Sequence, residues 1–360
     1  MLSQVKKNVD ILENSLQLPT VRESILYEMK SDSIVNCNLC ERRCQIPHMG
    51  TGFCKTRINL DGKLYTLVYG NLSALESRPI EIKPFFHYWP GSKALTFSTW
   101  SCNFDCVWCQ NWNLSKTPPD HSRAKYFSPE QIVDLALNEG DDGLCSSFQE
   151  PTVLTDWNID LFRLGRTKDL YSCYVSNGYM TLEALKMLWE SGMDGLKVDV
   201  KGDAETYRRF CGGVDVEKVW RNVGEAKRMG FHVEVVNLVV TGVNDDEECL
   251  RWLVERHLKE AGVETPLHFT RYYPAYKFSN PATPVETLEK ACEIAKKHGV
   301  LYAYLGNVPG HKYENTYCPN CEDTLVKRYG PRIVRYCITN AKRCPKCGLP
   351  IPIRGKPIYS

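Results

Sequence analysis

From residue 93 to residue 307 the chain repeats one rhythm, a short apolar run rich in β-branched and aromatic residues followed by a longer stretch with helical spacing. Seven runs have strand character, at 94–100, 143–148, 170–177, 195–202, 232–240, 266–274 and 300–307. Helical stretches occupy 128–140, 181–192, 216–230, 246–262 and 285–299, with Ser128 and Thr181 as N-cap candidates. Gly140, Gly192, Gly230, Gly262 and Gly299 follow those stretches where a left-handed residue ends a helix. Strands separated by helices pair in parallel through right-handed crossovers. The pattern predicts an α/β fold, an open, partial (β/α)6 barrel of about six strands, with its functional residues at the C-terminal strand ends.

Seventeen cysteines stand in this chain. The start MLSQVKKNVD has no apolar signal-peptide core, and no run approaches the roughly 20 apolar residues of a membrane span. A cytoplasmic setting is expected, which argues for metal–thiolate chemistry over a disulfide framework. Eleven cysteines form three clusters, Cys37/40/44/54, Cys102/106/109 and Cys318/321/344/347. Cys145, Cys173, Cys211, Cys249, Cys292 and Cys337 stand apart, mostly in apolar patterns, and read as small core residues.

The central cluster lies in TWSCNFDCVWCQNW, directly after the first strand of the repeat, with spacing Cys-x3-Cys-x2-Cys. A compact loop of this kind can hold three corners of a cubane and leave the fourth iron open. An incomplete zinc site is the competing reading. Further along, Glu150 follows the second strand and is held by a proline; Ser176 and Asn177 end the third strand, and Asp199 and Lys201 the fourth. On residue pattern alone these are polar groups at loop entries.

The three-cysteine motif resembles the radical S-adenosylmethionine (SAM) signature, and EPT, SNGY and DVKG resemble the group containing pyruvate formate-lyase activating enzyme. The resemblance implies a radical SAM barrel in which Cys102, Cys106 and Cys109 ligate a catalytic [4Fe–4S] cluster whose open iron chelates SAM. It also implies that Trp108 lies near the adenine, that Glu150 reads the methionyl amino group, and that Ser176, Asn177, Asp199 and Lys201 line the SAM pocket. Two positions depart from the activases: Val175 stands where an aspartate usually precedes the Ser/Thr-Asn-Gly triplet, and Tyr273 where a histidine is often found.

The flanking clusters complete the plan. CPNC and CPKCG supply Cys318, Cys321, Cys344 and Cys347, a four-thiolate set that suits zinc or a rubredoxin-type iron. Between Cys318 and Ser360 nine Lys or Arg stand against Glu322 and Asp323, about +7, and this stretch reads either as a metal-held cap with a solvated basic face or as a docking module. CNLCERRCQIPHMGTGFC supplies Cys37, Cys40, Cys44 and Cys54, for zinc or an auxiliary iron–sulfur cluster. The expected divisions are a helical segment at 1–34, a Cys-rich segment with a hairpin at Asp61-Gly62 over 35–92, the barrel over 93–310, and the C-terminal metal unit over 311–360.

CNLCERRCQIPHMGTGFCKTR, HYWPGSKAL, PLHFTRYYPAYK, YLGNVPG and YCPNCEDTLVKRYG, together with the central motif, resemble the radical SAM component of the AmmeMemoRadiSam system. That resemblance implies an AMMECR1-domain protein and a Memo-like protein as partners, beside an electron donor. The substrate expected is a protein, an RNA or a small molecule, and a glycyl-radical activase is one version of the activity. The contrasting class is a non-enzymatic zinc module binding nucleic acid or protein through its basic C-terminal knuckles. The net charge of +2 gives no general footprint for nucleic acid.

Overall fold

Seven largely buried strands pair in parallel and in sequential order. The computed structural model describes residues 16–31 and 33–356. The parallel strands are β8 (Lys93–Ser98), β9 (Gly143–Ser146), β10 (Tyr171–Ser176), β11 (Gly195–Val200), β12 (His232–Val239), β13 (Leu267–Arg271) and β14 (Ala303–Gly306). An antiparallel edge strand, β7 (Ala74–Pro79), completes an eight-stranded open sheet. The barrel thus has one parallel strand more than the six expected. Segment 35–92 is not one unit, because β7 joins the barrel by pairing with β8.

Local signals hold where backbone groups are satisfied locally. Ser128 caps the helix Pro129–Glu139 with a reciprocal Ser128/Gln131 capping box, Thr181 caps Leu182–Ser191, and Gly140, Gly192 and Gly230 adopt left-handed conformations at helix ends. The hairpin at Asp61-Gly62 forms between β5 (Arg57–Leu60) and β6 (Lys63–Thr66), with both turn residues at positive φ. A helix at Thr155–Arg166 continues the alternation between β9 and β10.

The N-terminal helices are where expectation and structure part. Residues 1–15, including Val9, Ile11 and Leu12, lie outside the described residues. Over the rest, β1 (Arg22–Glu23) pairs with β6, and β2 (Tyr27–Ser31) pairs with β3 (Ile34–Cys37). Ile25 and Met29, apolar at helical spacing with Val21 and Leu26, are exposed, so the spacing buries no common face. Ladder bonds to neighbouring strands outweigh a weak local periodicity. β3 also pairs with β4 (Gln45–Pro47), which holds Cys37 beside the Cys40–Cys44 turn.

The C-terminal unit, a three-stranded sheet of β15 (Thr316–Tyr317), β16 (Thr324–Tyr329) and β17 (Arg332–Tyr336), has its own small core around Leu325, Val326 and Ile351. It docks at the N-terminal ends of the barrel strands. Arg328 is 2% exposed, donates to the carbonyls of Phe86 and Glu314, and lies 4.1 Å over the Phe86 ring. Arg354 pairs with Asp194 just before β11. The buried Glu234, near the start of β12, accepts from the backbone of Phe86 and His87 and contacts the rings of His232 and His268. His87 reaches Tyr304 Oη and the Pro352 carbonyl, closing the joint.

Burial keeps two histidines neutral in the folded chain, lowering His87 to about 3 and His257 to about 4, and lowers His268 as well. Burial raises Glu81 to about 7, so that group takes up a proton earlier than it would unfolded. Between about pH 5 and 6 the unfolded chain takes up the protons of His87 and His257, which the folded chain leaves neutral, and these outnumber the one proton that burial lets Glu81 keep. Stability should therefore fall as pH drops through this window, measured as urea midpoints across pH. A flat or rising profile would contradict the assignment.

Candidate active site

Sequential parallel pairing brings the C-terminal ends of β8 to β14 to one rim, and the loops after them enclose a cavity of about 450 Å3. Cys102, Cys106, Trp108 and Cys109 reach it from the loop after β8, Glu150 from the loop after β9, Ser176 and Asn177 from the end of β10, and Asp199 and Lys201 from the end of β11. The expected pocket residues therefore share one cavity. Val175 and Tyr273 line it too.

The cysteine loop is pinned from three sides. The amides of Asp105 and Val107 donate to the carbonyls of Cys211 and Phe210, at the end of the short helix Ala204–Phe210. The Lys277 amide donates to the Val107 carbonyl, and the Ser101 amide to that of Leu114. Trp108, 3% exposed, packs against Phe210 and Phe278. The Phe104 amide points at Cys102 Sγ at 3.3 Å, and Cys109 Sγ lies 3.1 Å from Ser115 Oγ. Burial, reinforced by Glu150, raises the Cys102 thiol; Cys106 is lowered to about 7 by its contact with Cys211, against burial and with help from Lys201 and Lys116. The loop thus presents three partly exposed thiols in a cationic setting, a donor set that fits a cubane bound by three thiolates.

Glu150 is buried and almost saturated on one oxygen. Oε1 accepts from the Thr152 amide, Thr152 Oγ1 and Ser176 Oγ, while among the described residues Oε2 accepts only from the Asn177 amide at 2.8 Å. Burial raises its carboxyl although these bonds oppose the shift. Asn177 Nδ2 donates to Asn103 Oδ1 and lies 4.0 Å from Cys102 Sγ, tying the third strand end to the cysteine loop. Gly178 makes that turn feasible: its φ is +72°, and a Cβ there would meet Val198 at 2.7 Å. Asp199 bridges Lys197 and Lys201, with Lys201 Nζ at 3.3 Å. Burial works against its charge, yet the two lysines hold its carboxyl below the usual range; burial also lowers Lys197.

Several cavity residues escaped sequence reasoning. Lys83, 6% exposed, rises from the loop after β7, lies 4.8 Å from the Phe148 ring centre and makes no ion pair among the described residues. Gln149, 9% exposed, has neither amide atom hydrogen-bonded among the described residues. Lys83 carried no signal because a loop gives no register, whereas Gln149 adjoins Glu150 in SSFQEPT. Cys211, read as a core residue, is buried but also touches the catalytic-loop candidate Cys106.

The flanking clusters occupy opposite ends. Cys37, Cys40, Cys44 and Cys54 line a small pocket with Asn103 and Thr152, immediately behind the cysteine loop. Arg42 fastens the two, donating to the Asn103 and Gly212 carbonyls. The sulphurs of Cys318, Cys321, Cys344 and Cys347 lie within 4.8 Å of one another in the unit at the barrel base. Only the N-terminal cluster adjoins the mouth, so the basic C-terminal unit is not a rim of the cavity.

Residues 98–253 match the Radical SAM superfamily. The chain is 39% identical over 336 residues to the uncharacterized protein MJ0808 of Methanocaldococcus jannaschii, covering 92% of this chain and 99% of that protein. It is 24% identical over 148 residues to the GTP 3′,8-cyclase of Nautilia profundicola, 41% of this chain and 46% of the cyclase. A radical SAM methyltransferase structure from Sphaerobacter thermophilus superposes with a TM-score of 0.46 at 12% identity, over 82% of this chain and 80% of the other. The chain belongs to one family with the M. jannaschii protein and carries a radical SAM domain. Members of that superfamily are enzymes, and the domain implies SAM and a [4Fe–4S] cluster as cofactors. No helix among the described residues is long and apolar enough to cross a membrane.

Replacing Asp199 by alanine strands Lys197 and Lys201 beside each other, and should cost about 3 kcal/mol in urea unfolding. Adding Lys197→Met should recover most of that loss, because it removes the buried unpaired charge. Additive losses in the double variant would contradict this reading of the triad.

Proposed function

We propose that this chain reductively cleaves SAM at a [4Fe–4S] cluster held by Cys102, Cys106 and Cys109, releasing a 5′-deoxyadenosyl radical that abstracts hydrogen from a substrate. The observation that carries the reading is the convergence of those three thiols with Glu150, Asn177 and Asp199 on one cavity. When bound, the cluster supplies the single electron that breaks the sulfonium C–S bond.

The chain's own residues orient and enclose. Glu150 Oε2 keeps acceptor capacity for the SAM ammonium, because its Oε1 partners fix the carboxylate. Trp108 offers an apolar wall for the adenine, and Ser176, Asn177 and Lys201 add polar groups around the nucleoside. Lys83 and Gln149 remain for the substrate, which favours a molecule or side chain bearing an anionic or amide group.

The motif set of the flanking segments supports an enzyme of the AmmeMemoRadiSam type, working with an electron donor and with AMMECR1-domain and Memo-like partners. A glycyl-radical activase is the version in which the hydrogen comes from a protein glycine. A single tetrahedral ion, zinc or a rubredoxin-type iron, is what we assign to Cys318, Cys321, Cys344 and Cys347, since Cys318 and Cys347 lie 3.5 Å apart and Cys321 and Cys344 3.6 Å. Metal–sulphur bonds of about 2.3 Å in a tetrahedron place sulphurs about 3.8 Å apart. Its place at the barrel base favours a structural cap.

In reduced, anaerobically reconstituted protein, Cys106→Ala should bring 5′-deoxyadenosine formation to background; unchanged formation would overturn the proposal. Glu150→Gln keeps the shape but removes the charge, and should weaken SAM binding about tenfold or more in calorimetry while the cluster spectrum persists.

A further inference from the structure

The cysteine clusters differ in spacing, and the difference assigns the one left open. Among the described residues, only the C-terminal set brings three or more sulphurs within 4.8 Å of one another, as a single ion requires. The N-terminal set lines one pocket yet lacks that compactness, and so does the Cys102/106/109 set. A cubane places each thiolate on its own iron, so its sulphurs stand apart by the added width of the cluster.

The pocket has further marks of an anionic occupant. Leu39, Phe53 and Val153 wall it with apolar surface. Amides point at its sulphurs, with Phe53 N–H 3.5 Å from Cys44 Sγ and those of Leu39 and Arg42 directed at Cys37 and Cys40. Arg42 lies 3.5 Å over the Phe53 ring, forming a cationic lid. Arg57, 1% exposed and also lining the pocket, keeps its buried Nε–H without a partner among the described residues. A thiolate-ligated cluster would place negative charge beside these donors.

We propose that Cys37, Cys40, Cys44 and Cys54 bind a second [4Fe–4S] cluster, with all four irons ligated by protein. With no open iron it has no place for SAM. It sits behind the cysteine loop, for Asn103, the residue after Cys102, forms part of its wall.

The test is metal content of the full chain after anaerobic reconstitution. Wild-type protein should hold about eight irons and about one zinc, and the triple variant Cys102→Ala, Cys106→Ala, Cys109→Ala should keep about four irons with a cubane electron paramagnetic resonance signal on reduction. About four irons with two zincs in the wild type, or an iron-free folded triple variant, would overturn the proposal. Should the triple variant not fold, wild-type iron and zinc counts with Mössbauer intensities decide the matter. Loss of SAM cleavage in the wild type would count against the proposed reaction and leave this cluster assignment standing, so the two failures are separable.

Discussion

Parallel pairing in sequential order is the constraint on which the rest depends. Each crossover helix returns the chain to the same end of the sheet, so every parallel strand finishes at one rim. Residues far apart in sequence, such as Cys102, Glu150 and Asp199, therefore meet without any long-range motif to announce it. The cost is a set of polar groups gathered in a partly dry space. Internal pairing offsets much of it: Glu150 takes four hydrogen bonds, Asn177 ties to Asn103, and Asp199 balances two lysines.

The two ends of the barrel use cysteine in different ways. At the mouth, the N-terminal set and the catalytic-loop candidates stand back to back, joined by Arg42 and Asn103. At the base, the compact C-terminal set stiffens a small sheet that Arg328, Arg354 and the Glu234 network fasten to the strand beginnings. Loosening the base would act on the cavity through the strands, whereas loosening the N-terminal set would act directly on the cysteine loop.

Elements whose bonding is local were readable from residue pattern. The caps at Ser128 and Thr181 and the Asp61-Gly62 hairpin follow from short-range backbone demands, and the seven strand runs from their apolar composition, though not from their pairing. The stretch 16–31 misled because its apolar spacing is helical, yet its hydrogen bonds go to β6 and β3. β7 gave no signal of its own, for half-buried edge residues lack a clean alternation. Lys83 was invisible for a related reason: its role depends on where a loop after an edge strand reaches.

Cysteine spacing and position after a strand were enough to name the thiols that group together, since a loop of fixed length limits which sulphurs can meet. The same spacing left open how far apart each set would stand, and on which end of the barrel. Those depend on β3–β4 pairing, on Arg42 and Asn103 at the mouth, and on the docking of the C-terminal sheet at the base. Ligand identity is local chemistry and travels with the residues, whereas ligand separation and placement are properties of packing between distant segments.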